Sequence, residues 1–170
     1  MEILNWKQEG FSGRKYTVSS AGGKAGKLVF DGWASYNATY GSGDTRLTFS
    51  SKGWFEQEVT IRYNGEVIGK GITSIMGKTR IEMETGEKYL LQNKSFSQKQ
   101  VMVDAAGKPV ISLEQSGFSL GKGRIAVADG VPELTKLALV SISLYFKTLS
   151  DSQVAILIAV FVPVFLQIIR

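Results

Sequence analysis

The stretch Lys88-Tyr-Leu-Leu-Gln-Asn-Lys-Ser-Phe-Ser-Gln-Lys-Gln-Val-Met-Val-Asp-Ala-Ala-Gly-Lys-Pro-Val110 decides how this chain reads. It holds a short apolar run, an aromatic, an alternating run and a glycine turn. Moved back by 42 positions without a gap, it falls on Arg46–Ile68. Leu47 then meets Tyr89, Phe49 meets Leu91, Trp54 meets Phe96, Val59 meets Val101, Ile61 meets Val103 and Gly65 meets Gly107. A further step of 43 brings Trp54 onto Phe11, Val59 onto Tyr16, Ile61 onto Val18 and Gly65 onto Gly22. One unit therefore recurs three times. A period near 40–45 residues suggests propeller blades, but propellers usually have about 4–8 blades, and neither a Gly-His nor a Trp-Asp signature is present. A closed or nearly closed barrel fits better, because closure removes the exposed edges of so many short strands.

The same grammar extends outward from the repeat. Lys15-Tyr16-Thr17-Val18-Ser19, Glu58-Val59-Thr60-Ile61-Arg62-Tyr63 and Gln100-Val101-Met102-Val103-Asp104 alternate with a period of two, the mark of a sheet with one wet and one dry face. Asn64-Gly65 is a strong hairpin signal, and Thr85-Gly86 and Ala106-Gly107 separate further pairs of runs. Nineteen glycines against three prolines suit a chain of many tight turns. Runs between turns predict about twelve strands, near 2–8, 13–19, 25–31, 34–40, 44–50, 55–63, 66–73, 78–84, 87–92, 99–104, 108–114 and 121–127.

After Asp129-Gly130 the pattern turns helical. Val131-Pro132-Glu133 places a proline and an acid in a first turn. Leu137–Phe146 is uncharged and apolar nearly all round, so Leu134, Leu137, Leu139, Val140, Ile142, Leu144 and Phe146 are expected to fill a protein interior. The lumen of a many-stranded barrel would surround such a helix, with Ser141 and Ser143 bonded to carbonyls one turn earlier. Ser150-Asp151-Ser152-Gln153 reads as a capping box opening a second helix. That helix is uncharged over the eighteen residues Ser152–Ile169, about 27 Å at ~1.5 Å per residue. Val154, Ile156, Leu157, Val160, Phe161, Phe165 and Ile168 would face lipid, Pro163 is tolerable there, and Arg170 would reach the far interface. Packing on the barrel or in an oligomer interface is the competing reading. The expected organisation is a barrel over 1–130, a buried central helix over 131–149 and an apolar helix over 150–170.

The chain has no cysteine and no histidine. Disulfides, the usual zinc, haem and iron–sulfur ligands, and Ser-His-Asp or Cys-His catalysis are therefore excluded; carboxylate chemistry and oxygen-ligated metals stay open on composition, but with no second carboxylate group placed by the sequence, no cofactor, metal site or enzyme activity is expected. The formal charge of +5 is scattered rather than clustered, which argues against nucleic acid as a partner. The start, Met-Glu-Ile-Leu-Asn-Trp-Lys, has no apolar run after a basic one and so does not read as a cleavable signal. Gly71-Ile-Thr-Ser-Ile-Met-Gly77-Lys78-Thr79 has one residue too many between its glycines for a phosphate-binding loop and precedes a strand, not a helix. Glu82, Glu84 and Glu87 read as solvated exterior. Phe11, Trp54 and Phe96 read as barrel packing. Lys122 and Arg124 are candidates for contact with an anionic headgroup.

Twelve strands in a repeat followed by an apolar helix resemble the tubby C-terminal-like superfamily, which includes phospholipid scramblases and LURP-one-related proteins. The resemblance lies in Lys88–Val110 and in Leu134–Phe146. It implies a twelve-stranded barrel around a central hydrophobic helix, and the compact size is similar to that of bacterial members. The palmitoylated cysteines and acidic calcium loop of animal scramblases have no counterpart here, nor does the basic phosphoinositide set of tubby proteins. The expectation is a mainly β, non-enzymatic barrel tethered to a membrane by its C-terminal helix, facing the cytoplasm and binding lipid or a protein partner. The alternative is a soluble cytoplasmic module with both helices packed in the fold or in an oligomer.

Overall fold

A computed structural model describes the chain except residues 11, 24, 33–34, 53–56, 75–77, 95–98, 118 and 169–170, and except the side chains of 25, 93–94, 119–120 and 152–168. The twelve strands are β1 (Glu2–Gln8), β2 (Lys15–Ser20), β3 (Ala25–Phe30), β4 (Ala38–Ser42), β5 (Thr45–Lys52), β6 (Gln57–Tyr63), β7 (Glu66–Thr73), β8 (Thr79–Met83), β9 (Lys88–Lys94), β10 (Lys99–Asp104), β11 (Pro109–Ser116) and β12 (Ser119–Val127). Each pairs antiparallel with its sequence neighbours, and β1 pairs with β12 to close the barrel. The closing register sets Leu4 opposite Ile125, Asn5 opposite Arg124 and Lys7 opposite Lys122.

Alternation becomes inside and outside as expected. On β5, Leu47 and Phe49 are buried while Arg46 and Thr48 face solvent. The hairpin at Asn64-Gly65 holds both residues at positive φ, 51° and 86°, the conformation of a type I′ turn. Strand β4 starts later than the alternation suggests. Residues 35–37 lie outside it, and the Asp31 amide donates to the Asn37 carbonyl at 2.9 Å and the Ser51 amide to Asn37 Oδ1 at 3.2 Å.

A single helix, α1 (Glu133–Ile168, 36 residues), follows the barrel. Its first turn is tied by the Lys136 amide to the Pro132 carbonyl at 2.8 Å. Lys136 pairs with Glu133 at 2.6 Å and with Glu2 of β1 at 2.9 Å. Every residue from Ala138 to Leu149 is buried, on all faces of the helix. Tyr145 stacks between Phe30 of β3 and Phe49 of β5, with centroids at 5.2 and 5.7 Å, and its hydroxyl donates to the Tyr36 carbonyl at 2.7 Å. These contacts place the helix in the lumen. Ser141 Oγ donates to the Leu137 carbonyl at 2.5 Å and Ser143 Oγ to the Leu139 carbonyl at 2.7 Å, so neither hydroxyl is stranded in the apolar interior. Leu139, Val140, Ile142, Leu144 and Phe146 are fully interior; Leu134 and Leu137 are half-buried where the helix enters.

The second helix expected from Asp151 does not form as a separate element. No separate helix opens at Ser150, because the backbone stays helical through it. The capping-box reading fails for a physical reason. No glycine or proline stands between Lys147 and Gln153, Thr148 Oγ1 donates to the Leu144 carbonyl at 2.9 Å, and Lys147 pairs with Asp151 one turn on. That i,i+4 pair favours the helix over its end.

Candidate functional site

Antiparallel connectivity gives the barrel two unlike rims. One, the turn rim, carries the hairpin turns between β2 and β3, β4 and β5, β6 and β7, β8 and β9, and β10 and β11, and it admits the start of α1. The other, the loop rim, carries the remaining connections, and α1 leaves through it.

The lumen is occupied rather than open. Gly71 of β7 marks how closely the helix fits: a Cβ there would lie 2.9 Å from Ile142 Cδ1 and 3.0 Å from two carbons of the Phe146 ring. Burial pushes the Tyr40 and Tyr145 phenols up to about 12, since a phenolate has no solvent there. Among the described residues, Lys147, Thr148 and Tyr16 place polar groups in the lumen near the loop rim, beside the Thr73–Thr79 hydroxyl pair at 2.9 Å. The Lys147 ammonium lies 5.1 Å over the ring of Trp6 and pairs with Asp151, which is half exposed. Burial raises the Tyr16 phenol. The sequence reading missed this cluster, although the i,i+4 spacing of Lys147 and Asp151 was there to be read.

Lys122 and Arg124 are exposed on the outer face of β12. Barrel closure brings Lys7 beside Lys122 and Asn5 beside Arg124. With Glu9, Thr17 and Ser19 they line a shallow depression of about 580 Å³. Among the described residues, Lys7, Lys122 and Arg124 form no ion pair. Glu9 is engaged: it accepts from the Thr17 hydroxyl and pairs with Lys27 at 3.1 Å and Lys15 at 3.5 Å. The Thr17 hydroxyl first, and Lys27 next, hold its carboxyl down at about 2. Beneath this surface the Trp6 indole donates to the Glu114 carbonyl at 3.3 Å. Gly123 leaves room for that contact, since a Cβ there would lie 1.9 Å from the Glu114 oxygen.

Other candidates separate. A second depression, about 530 Å³, lies at the turn rim among Tyr89, Asp104, Lys108, Pro109, Val131 and Pro132. Thr79–Met83 is a strand, so the loop before it has no helix N-terminus to meet a phosphate; residues 75–77 lie outside the described ones. Glu84 and Glu87 are exposed, and Glu82 pairs with Lys88 at 4.0 Å. Among the described residues no group of three acidic, His or Cys side chains is placed to hold a metal ion. Phe11, Trp54 and Phe96 lie outside the described residues, as do the side chains of Val154, Ile156, Leu157, Val160, Phe161, Phe165 and Ile168. Among the described residues no helix is long and apolar enough to cross a membrane.

No family model matches this chain, and neither the curated proteins nor the solved structures hold a match.

Proposed function

We propose that this protein is a non-enzymatic barrel tethered to a membrane by the second half of α1, with the barrel on the cytoplasmic side. The observation that carries the reading is the continuity of α1. Its 36 residues extend about 54 Å at ~1.5 Å per residue. The longest strand, β12 with nine residues, spans at most about 30 Å at ~3.3 Å per residue, less once tilted. The barrel therefore cannot enclose the whole helix. The part that follows Asp151 is the part without charge, Ser152–Ile169, and an uncharged Val, Ile, Leu and Phe segment outside a closed barrel needs an apolar surround of its own.

The filled lumen favours a binding module over an enzyme, because it leaves the barrel's outer wall and rims as the surfaces that meet a partner. Lipid headgroups are the partner best matched to the cations on the wall, with Lys122 and Arg124 as contacts. The strand number and the lumen helix also support the resemblance to the tubby C-terminal-like superfamily.

Fractionation tests the reading. Full-length protein is expected in the membrane pellet after lysis without detergent, resistant to alkaline carbonate and released by detergent. Recovery in the soluble fraction would overturn the tether and leave the soluble module, with the helix buried between copies, as the account.

A further inference from the structure

The two rims differ in chemistry as well as in connectivity. The five hairpin turns of the turn rim read Ala21-Gly-Gly-Lys24, Gly43-Asp44, Asn64-Gly65, Glu84-Thr-Gly-Glu87 and Ala105-Ala-Gly-Lys108, with no large apolar residue. All six connections of the loop rim contain one: their sequences hold Phe11, Trp33, Trp54, Met76, Phe96 and Phe118. Tyr36, within the β3–β4 loop, is 42% exposed.

Charge divides the same way. At the loop rim, Glu9, Glu58 and Glu114 are each paired with lysine, at Lys27, Lys70 and Lys99. Among the described residues Asp31 is the exposed acid left over there. Against it, Lys7, Lys52, Lys78, Arg80 and Lys122 are all exposed and form no ion pair among the described residues. Lys7 lies near the end of β1, Lys52 ends β5, Lys78 just precedes β8, Arg80 is its second residue and Lys122 pairs with Lys7 from β12, so they are spread round the barrel instead of forming one patch. At the turn rim Lys88 and Lys136 are paired and Arg46 and Lys108 are not, while the five acids Asp44, Glu66, Glu84, Glu87 and Asp104 have no cationic partner among the described residues, so acids prevail there.

We propose that the loop rim is the face the barrel seats on a bilayer with anionic headgroups, through Tyr36 and this ring of five cations. A ring of cations round an end fits a plane, whereas a cluster on one wall would fit a compact ligand. Aromatic residues favour the membrane–water interface, and lysine and arginine favour the anionic cytoplasmic leaflet. The polarity also agrees with the direction of α1, which leaves the barrel through this rim. The inference deepens the tether reading and rests on it.

The chain has no cysteine, so one introduced thiol carries one probe. Full-length Tyr36→Cys and, at the opposite rim, Ala106→Cys are labelled with an environment-sensitive fluorophore. Each is reconstituted in phosphatidylcholine vesicles with and without phosphatidylserine, and flotation is recorded alongside. Both proteins are expected to float with both vesicles. The label at position 36 is expected to shift to an apolar emission only with phosphatidylserine, and the label at 106 in neither. Each cation at such a surface raises its occupancy about fivefold, so the K52E/K78E/K122E reversal lowers the shielded-to-unshielded ratio at 36 by at least tenfold, while R46E/K88E/K108E at the turn rim leaves it unchanged. Protein that floats but gives the same emission at 36 and 106, or ignores the rim reversal, overturns the seating and leaves the tether standing. Failure to float overturns both. Shielding at 36 without vesicles would assign the rim to a second copy of the chain and also overturn the proposal.

Discussion

Replacing Gly71 by alanine measures how tightly α1 fits the lumen. Gly71 is buried on β7 and faces the helix, and the added Cβ would lie 2.9 Å from Ile142 Cδ1 and 3.0 Å from Cε2 and Cζ of Phe146. Contacts that short force the helix side chains to move. Overpacking of this kind costs about 1–3 kcal/mol. Alanine recovers about 0.5–1 kcal/mol that glycine forfeits inside a strand, so Gly71→Ala should destabilise by about 1.5 kcal/mol overall. At about 2–4 °C per kcal/mol for a chain of this size, melting should fall by about 3–6 °C. Ile142→Val removes the Cδ1 that lies nearest and by itself costs about 1 kcal/mol. In the double variant the clash with Cδ1 is gone, so its loss should be smaller than the sum of the single losses by about 1 kcal/mol, as for groups in contact. Urea unfolding in detergent, followed by tryptophan fluorescence, gives all four stabilities. A neutral Gly71→Ala, with effects additive to within about 0.3 kcal/mol, would show that this face of α1 does not lie against β7 and would refute the lumen arrangement.

Tyr145→Phe keeps the stack on Phe30 and Phe49 but strands the Tyr36 carbonyl, and should cost about 1–2 kcal/mol in the same unfolding assay; no loss would mean that the hydroxyl does not anchor the β3–β4 loop. Lys147→Met should be nearly neutral, within about 1 kcal/mol, because the apolar stem is replaced in kind and the abandoned Asp151 is half exposed to water; a loss several times larger would show that the buried charge itself is needed. The Glu9 carboxyl, held at about 2 against an ordinary value of 4.5, contributes stability that is present above 4.5 and lost as pH falls toward 2. Glu9→Gln should therefore flatten the decline of the urea midpoint across that window, and an unchanged acid limb would remove Glu9 from the account.

The strands were legible because their signals are local. Val59, Ile61 and Gly65 alternate and turn as Val101, Val103 and Gly107 do, and each hairpin is fixed by its own residues. Burial of Leu139–Phe146 was legible too, since a helix without a polar face has few places to go. The errors arose where a local pattern competed with a less visible one. Ser150-Asp151-Ser152-Gln153 satisfies a capping pattern, yet Asp151 is drawn back to Lys147 and the helix continues. The site was harder to read. Lys7 and Lys122 are neighbours only because β1 closes on β12, and no repeat offset reports that pairing. The contrast between the rims likewise needs the topology, since residues as distant as Lys52 and Lys122 share a rim only after the strands have been threaded up and down.

The chain order of the lumen helix bears on how the molecule is made. All twelve strands leave the ribosome before the segment that fills their interior, and the first strand waits for the last one to supply its second neighbour. Until Ala138–Leu149 emerges, the inward faces of Leu47, Phe49, Ile61 and their counterparts have no dry partner. Closure of the barrel and filling of its lumen therefore wait on the same late stretch of polypeptide.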